Sequence, residues 1–222
     1  KGKNINIEFI SANPTGPLHA GHARGAVFGD ALASLLTEAG YLVTKEYYIN
    51  DAGSQIEKLV ESSLLRYNEQ LTKKLIDIPE GLYPGEYLKE VGQILFDKYG
   101  DELEQDNQEK IFDKVRSVSL EVIMGMIKND LLKLGIEMDV FTSEKEIISG
   151  NLLAEILKNL ESKNLIFYGV LDPPKGTDPK NWEKREQLLF KSSVNGDDSD
   201  RALQKSDGTW TYFATDMAYH LD

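Results

Sequence analysis

The run Ala12-Asn13-Pro14-Thr15-Gly16-Pro17-Leu18-His19-Ala20-Gly21-His22 sits between a strand-like segment and a helical one. It holds the parts of an ATP-phosphate site: two imidazoles, a glycine between them and a helix N-terminus directly behind. Helix N-termini carry free N–H groups and about half a positive charge, which favours phosphate. Gly21 lets a phosphate approach the backbone closely, and His19 and His22 can donate hydrogen bonds to its oxygens. The plainer reading is a strand-to-helix turn with two solvent-exposed histidines. A bare His-x-Gly-His pattern carries no more than that, so the surroundings decide.

Upstream, Ile5, Ile7 and Phe9 alternate with Asn4, Asn6 and Glu8, which predicts a strand over 4–10. Downstream, Phe28, Leu32, Leu35, Leu36 and Ala39 fall on one helical face between His22 and Ala39, and Gly40 closes the helix. Tyr41 to Ile49, rich in Tyr and Val, reads as a second strand. This β-turn-α-β pattern is the opening of a doubly wound sheet. Such sheets bind ligands at the carboxyl ends of their strands, where the histidine turn falls.

Farther along, periodicity predicts helices over 51–65, 86–104, 108–134 and 151–160, and a short strand over 140–142. The 108–134 helix is apolar on two faces, which implies burial on both sides. From residue 165 the pattern changes to short strands over 166–171, 188–193, 201–205 and 209–213. Asp172 to Gly176, Asn195 to Asp198 and Ser206 to Gly208 are turn signals between them. The expected fold class is α/β: the first half of a Rossmann-like nucleotide-binding domain with helical segments and a small antiparallel β insertion. The expected domains are a catalytic-type core over 1–164, with a helical stretch at about 51–135, an insertion over 165–211 and a return to the core over 212–222.

Composition narrows the classes. The 222 residues contain no cysteine, which excludes disulfides and thiolate metal sites. Three histidines leave little for a zinc centre, and no metal site is expected. The acidic Asp197, Asp198 and Asp200 lack a calcium-loop spacing and read as a solvated turn. No apolar run reaches the ~18 residues a membrane span needs, and no signal peptide precedes Lys1. A cytoplasmic enzyme is the expectation. The formal charge of −12, from 37 acidic and 25 basic residues, argues against a stand-alone nucleic-acid binder.

The longer run Glu8 to Gly25 resembles the first signature of class I aminoacyl-tRNA synthetases, most of all the bacterial arginyl-tRNA synthetase version. Tyr48 to Gln55, Gly196 to Arg201, and Lys205 to Tyr212 running on to Asp216 support the same resemblance. The stretch from about 66 to 135 adds little specific signal. The family's second signature, a lysine-rich loop of KMSK type, is missing. So are its N-terminal tRNA-contacting domain and its helical anticodon-binding domain. The resemblance therefore implies the front half of a catalytic domain, truncated at both ends. It also accounts for the acidic charge, because most of the tRNA-binding surface would lie elsewhere.

What the resemblance implies is an arginine–tRNA ligase, with L-arginine, ATP carrying Mg2+, and tRNA(Arg) as partners and no tightly bound cofactor. His19, Gly21 and His22 would form the ATP site, with His19 and His22 acting on the reacting phosphate. Glu8, Asn13, Tyr212 and Asp216 would form the arginine pocket. A planar guanidinium is best met by a carboxylate through paired hydrogen bonds, and the match gives that part to Asp216. Tyr212 lies four residues before it, on the same helical face. Plain alternatives stand beside these roles: an ordinary solvated helix face for Tyr212 and Asp216, an exposed strand residue for Glu8 and a turn former for Asn13. Arg24 would pair with a local carboxylate or approach a phosphate, and His220 would pack or cap its helix. Asn50 or Asp51 reads as an N-cap.

Two other functional classes compete. One is a different His-x-Gly-His nucleotidyltransferase, which would not need the insertion or the Tyr212–Asp216 segment. The other is a non-catalytic synthetase-like binding module, which the missing lysine loop would favour only if the natural chain ended at Asp222, and which the intact His19 and His22 disfavour. A monomer is expected, and the isolated fragment is expected to be inactive.

Overall fold

The computed structural model describes residues 2–171, 185–205 and 208–221. By its packing the chain divides into two units, Lys1–Glu144 and Lys145–Asp222.

The first unit contains β1 (Asn4–Glu8), α1 (Ala20–Glu38), β2 (Leu42–Ile49), α2 (Ser54–Thr72), α3 (Tyr87–Tyr99), α4 (Gln108–Lys133) and β3 (Val140–Ser143). Its three strands are parallel in the order β1-β2-β3, with Glu8 opposite Glu46 and Glu46 opposite Val140. This is the first half of the doubly wound order, so the expected Rossmann-like α/β class is what the chain adopts. Paired residues of parallel strands share a face, which puts Ile7, Lys45 and Phe141 on one side and Glu8, Glu46 and Val140 on the other. Lys45 bonds Asp30 of α1 at 3.2 Å, so α1 lies on the first of these sides.

The helix α1 departs from its sequence pattern. Its buried residues are Ala26, Gly29 and Ala33, whereas Phe28 and Leu35 are 71% and 69% exposed. Small residues face the sheet because the approach is close: a Cβ on Gly29 would lie 2.2 Å from Cγ of Phe9. The helix also begins at Ala20 rather than His22, and Gly40, at φ 91°, takes the left-handed position just beyond its end.

The core of this unit is the helical layer. Leu59 of α2, Leu88, Val91 and Leu95 of α3, and Val115, Ile123 and Ile127 of α4 are buried around Tyr47 and Tyr67. Helix α4 is buried on both the faces its pattern showed. The helix expected over 86–104 breaks at Gly100, φ 56°, and Glu102–Gln105 forms a separate 3-10 turn. Helix α2 starts at Ser54 rather than Asp51 and runs to Thr72. In the same layer Arg66 donates to both carboxylate oxygens of Glu69, at 2.9 and 3.0 Å, with side chains only 8% and 7% exposed. Arg66 also reaches the Pro84 carbonyl, and Glu69 accepts from the Ile76 N–H.

The second unit opens in α5 (Glu144–Ser149), which the sequence pattern did not show. It continues with α6 (Leu152–Ser162), the antiparallel strands β4 (Ile166–Gly169), β5 (Gln187–Phe190) and β6 (Arg201–Ala202), and α7 (Tyr212–Tyr219). The last two predicted strands shrink. Only Arg201 and Ala202 pair with β5, and of 209–213 only Trp210 bridges back, to Gln204, before α7 begins. The expected turn at Asp172 to Gly176, and Ser206 with Asp207, lie outside the described residues.

Candidate active site

The chain leaves β1 abruptly. Strand geometry ends at Glu8, two residues short of the expected limit, because Ile10 and Ser11 take φ values of 68° and 26°. Non-glycine residues avoid this region, and here neighbours hold them in it. The Ser11 hydroxyl accepts from the Tyr48 N–H at 3.0 Å and donates to the exposed Glu8 carboxylate. Asn13 then donates to Gln55 in the first turn of α2 at 2.8 Å.

Two tyrosines pin the loop that follows. The Tyr47 hydroxyl of β2 donates to the Ala12 carbonyl at 2.7 Å, and the Tyr87 hydroxyl of α3 donates to the Thr15 carbonyl at 2.6 Å. Burial raises the pKa of both phenols above the ordinary value, and for Tyr87 nearby Tyr83 adds to it. Both hydroxyls thus keep their protons and donate.

At the loop's end, His19 is the N-cap of α1. Its Nδ1 accepts from the Gly21 N–H at 3.1 Å, and the Nδ1 of His22 accepts from the His19 N–H at 3.4 Å. This is a capping box in which both side chains are imidazoles. The two rings stack with centroids 3.7 Å apart and planes 16° from parallel. A nitrogen that accepts carries no proton, so the pattern assigns both protons to Nε2, on the far side of each ring. Burial, and then the neighbouring His19, lower the pKa of His22, which favours the same neutral form. Gly21 serves this arrangement directly, since a Cβ there would lie 3.0 Å from Cε1 of His19.

The second unit holds the other predicted residues. Thr211 caps α7, accepting from the Ala214 N–H while its hydroxyl donates to the Ala202 carbonyl at 2.7 Å. Ala214, Thr215 and Ala218 are buried, so Tyr212, 72% exposed, and Asp216 share the outer face. His220 is the C-cap residue, its N–H bonded to the Asp216 carbonyl. The predicted residues thus fall into two sets. Glu8, Asn13, His19, Gly21 and His22 lie along one loop of the first unit, and Tyr212 and Asp216 on one helix face of the second.

Other readings change. The N-cap of α2 is Gly53, and Asp51 instead accepts from Ser143 of β3 and pairs with Arg116 of α4 at 3.3 Å. Arg24 is exposed on α1. Asp197 is gripped by Arg201 at 2.6 and 2.8 Å, which holds its carboxyl below the usual range, and Asp200 accepts from Ser193. Among the described residues no group of three or more His, Asp or Glu side chains is placed to hold a metal. No helix there is long and apolar enough to cross a membrane. Ser11, Tyr47 and Tyr87 were not read as site residues from the sequence. Only the position of Ser11 within the signature run hinted at a role.

Known proteins resemble this chain along its whole length. Residues 1–221 match the family described as tRNA synthetases class I (R), catalytic domain. An arginine–tRNA ligase of Ehrlichia chaffeensis is 57% identical over 221 residues, covering 100% of this chain and 38% of the relative. One from Ruegeria sp. is 54% identical over 222 residues, again covering 38% of the relative. A Campylobacter jejuni crystal structure described as an arginyl-tRNA synthetase superposes with a TM-score of 0.80 at 34% identity, covering 99% of this chain and 44% of that one. The chain therefore spans less than half the length of these relatives.

Proposed function

We propose an arginine–tRNA ligase role on the premise that this chain belongs to the family of class I (R) tRNA synthetase catalytic domains. The observation that carries the proposal is the stacked imidazole pair at the start of α1, with both Nδ1 atoms committed to the backbone and both Nε2–H groups left to donate. A helix N-terminus with two such donors, at the carboxyl end of a parallel strand, suits a polyphosphate.

In the proposed reaction ATP arrives with Mg2+. The carboxylate of L-arginine attacks the α-phosphorus, the bond to the β-phosphate bridging oxygen breaks, and pyrophosphate leaves. The 3′-terminal ribose hydroxyl of tRNA(Arg) then attacks the carbonyl of the arginyl-adenylate and AMP departs. His19 and His22 donate from Nε2 to phosphate oxygens and stabilise the charge that builds during the first step. Gly21 keeps the turn thin beneath the nucleotide. Asp216 pairs with the guanidinium, with Tyr212 beside it, and Glu8 and Asn13 hold the amino-acid end. The segment at about 165–211 is an insertion on the catalytic core, which resumes at 212. The protein works in the cytoplasm as a monomer, and its tRNA contacts lie mostly outside these residues.

The test is tRNA-dependent ATP–pyrophosphate exchange by the full-length protein that carries this chain, with each of the twenty amino acids. Exchange with arginine alone, lost in Asp216→Asn and in His22→Ala, is the expected result. Exchange with a different amino acid would overturn the specificity assigned to Tyr212 and Asp216. Absence of exchange with every amino acid would refute the activity.

A further inference from the structure

We infer that Tyr87 is a positioning residue for the nucleotide-binding turn, acting from the helical layer on the backbone that carries His19 and His22; the inference rests on the ATP-site reading above. Tyr87 is the first residue of α3, 72 residues beyond Thr15, yet its hydroxyl donates to the Thr15 carbonyl at 2.6 Å. Its ring lies on two glycines. A Cβ on Gly16 would sit 2.9 Å from the Tyr87 oxygen, and one on Gly85 would sit 2.0 Å from ring atom Cε1. The loop and the approach to α3 therefore both lack a side chain where the ring passes.

The consequence for the site follows from chain distance. Ala12 is fixed by Tyr47 and His19 by its own cap. Between them the chain has one internal backbone bond, from the Thr15 N–H to the Asn13 carbonyl. Besides the Asn13–Gln55 bond at its start, Tyr87 supplies a backbone anchor in that interval, four residues before the N-cap. Without it the approach to α1 gains freedom, and the direction of both Nε2–H groups varies with it. Rotational freedom of a donor is costly in a phosphoryl-type transition state, which is stabilised chiefly by positioning.

The test uses the full-length protein with Tyr87→Phe, which keeps the ring and removes only the hydroxyl. Tyr67→Phe is the matched control: its hydroxyl also donates to a backbone carbonyl, that of Gly100, at 2.6 Å, but nowhere near the loop. Amide hydrogen exchange over 13–22 is read first, then ATP–pyrophosphate exchange. A net hydrogen bond contributes roughly 0.5–1.5 kcal/mol, so opening of the loop should rise about two- to thirteenfold in Tyr87→Phe and stay unchanged in Tyr67→Phe. The exchange kcat should fall by a similar factor in Tyr87→Phe alone, with KM for arginine unaltered. Unchanged amide exchange over 13–22 in Tyr87→Phe overturns the inference, and so does an equal effect of Tyr67→Phe. If the unaltered protein exchanges with no amino acid, the functional reading fails while the amide exchange still decides the role of Tyr87 in holding the loop.

Discussion

Replacing Gly29 by Ala sets two principles against each other. In a helix interior Ala is favoured over Gly by about 1 kcal/mol, so local propensity says the change stabilises. The structure says otherwise. The added Cβ would lie 2.2 Å from Cγ, 2.3 Å from Cδ2 and 2.7 Å from Cβ of Phe9, the residue that follows β1, and Cβ and Cγ stand close to the main chain. Ordinary carbon contact is about 3.5–4.0 Å, so the helix or the ring must move by more than about 1 Å. Overpacking of this kind costs roughly 1–3 kcal/mol, and the triple overlap points to the upper end. Subtracting the propensity gain leaves a net destabilisation of about 2 kcal/mol. In a Phe9→Ala background only the Cβ overlap remains, and the cost of Gly29→Ala should fall below about 1 kcal/mol. Urea titration of the 222-residue chain, read through amide exchange of α1 and β2, reports the first unit by itself. A midpoint that rises in Gly29→Ala, or a cost unchanged in the Phe9→Ala background, would refute the close approach of α1 to the sheet.

The same assay checks three further expectations. Phe28→Ser and Leu35→Ser lie on the exposed side of α1 and should each change stability by less than about 0.5 kcal/mol, whereas burial of either side chain would make the loss several-fold larger. Glu69→Gln leaves the buried Arg66 without its counter-charge and should cost about 3 kcal/mol. Burial alone would raise the Glu69 carboxyl, but the Ile76 N–H and Arg66 outweigh it and the net shift is downward. With the folded pKa below the unfolded 4.5, its contribution is complete above that pH and is lost as pH falls through the folded value; Glu69→Gln should remove that acid limb. For His22 the folded pKa lies below 6.5, so the unfolded chain binds the proton more readily. Stability should decline as pH drops from 6.5 toward the folded value and then level off, and His22→Ala should abolish that step.

The opening strand–helix–strand unit was legible because alternation and apolar periodicity are local, whereas the place of β3 beside β2 was not. The histidine turn was legible too, because its residues are neighbours in sequence. The inner face of α1 was not, because periodicity is dominated by large apolar side chains. Phe28, Leu32 and Leu35 spoke louder than Ala26, Gly29 and Ala33, which do the packing. The capping of α1 by His19 carried a weak signal for a related reason: histidines can cap a helix, but imidazole is an uncommon cap, and serine or aspartate is the usual one. Tyr47 and Tyr87 were invisible for a different one. Each acts through one hydroxyl on a backbone carbonyl 35 or 72 residues away, and no spacing rule encodes such a contact. Asp51 was misread as a cap because its partners, Arg116 of α4 and Ser143 of β3, lie 65 and 92 residues away in sequence.

That third strand has a kinetic consequence. The Lys45 N–H and the Asp139 carboxylate that it meets beside β3 are 94 residues apart, and most of what lies between them is helix. Loop closure grows costlier with length, and long-range parallel pairing is intrinsically slow. Here α2, α3 and α4 pack on one another through contacts that are far shorter in sequence. Once they have collapsed, the open segment joining β2 to β3 is no longer a flexible loop but a folded bundle. These lengths predict that the helices condense before β3 zips onto β2, and that the Ser143–Asp51 bond forms only with that strand; amide pulse-labelling during refolding that shows β3 protected as early as α2 to α4 would refute it.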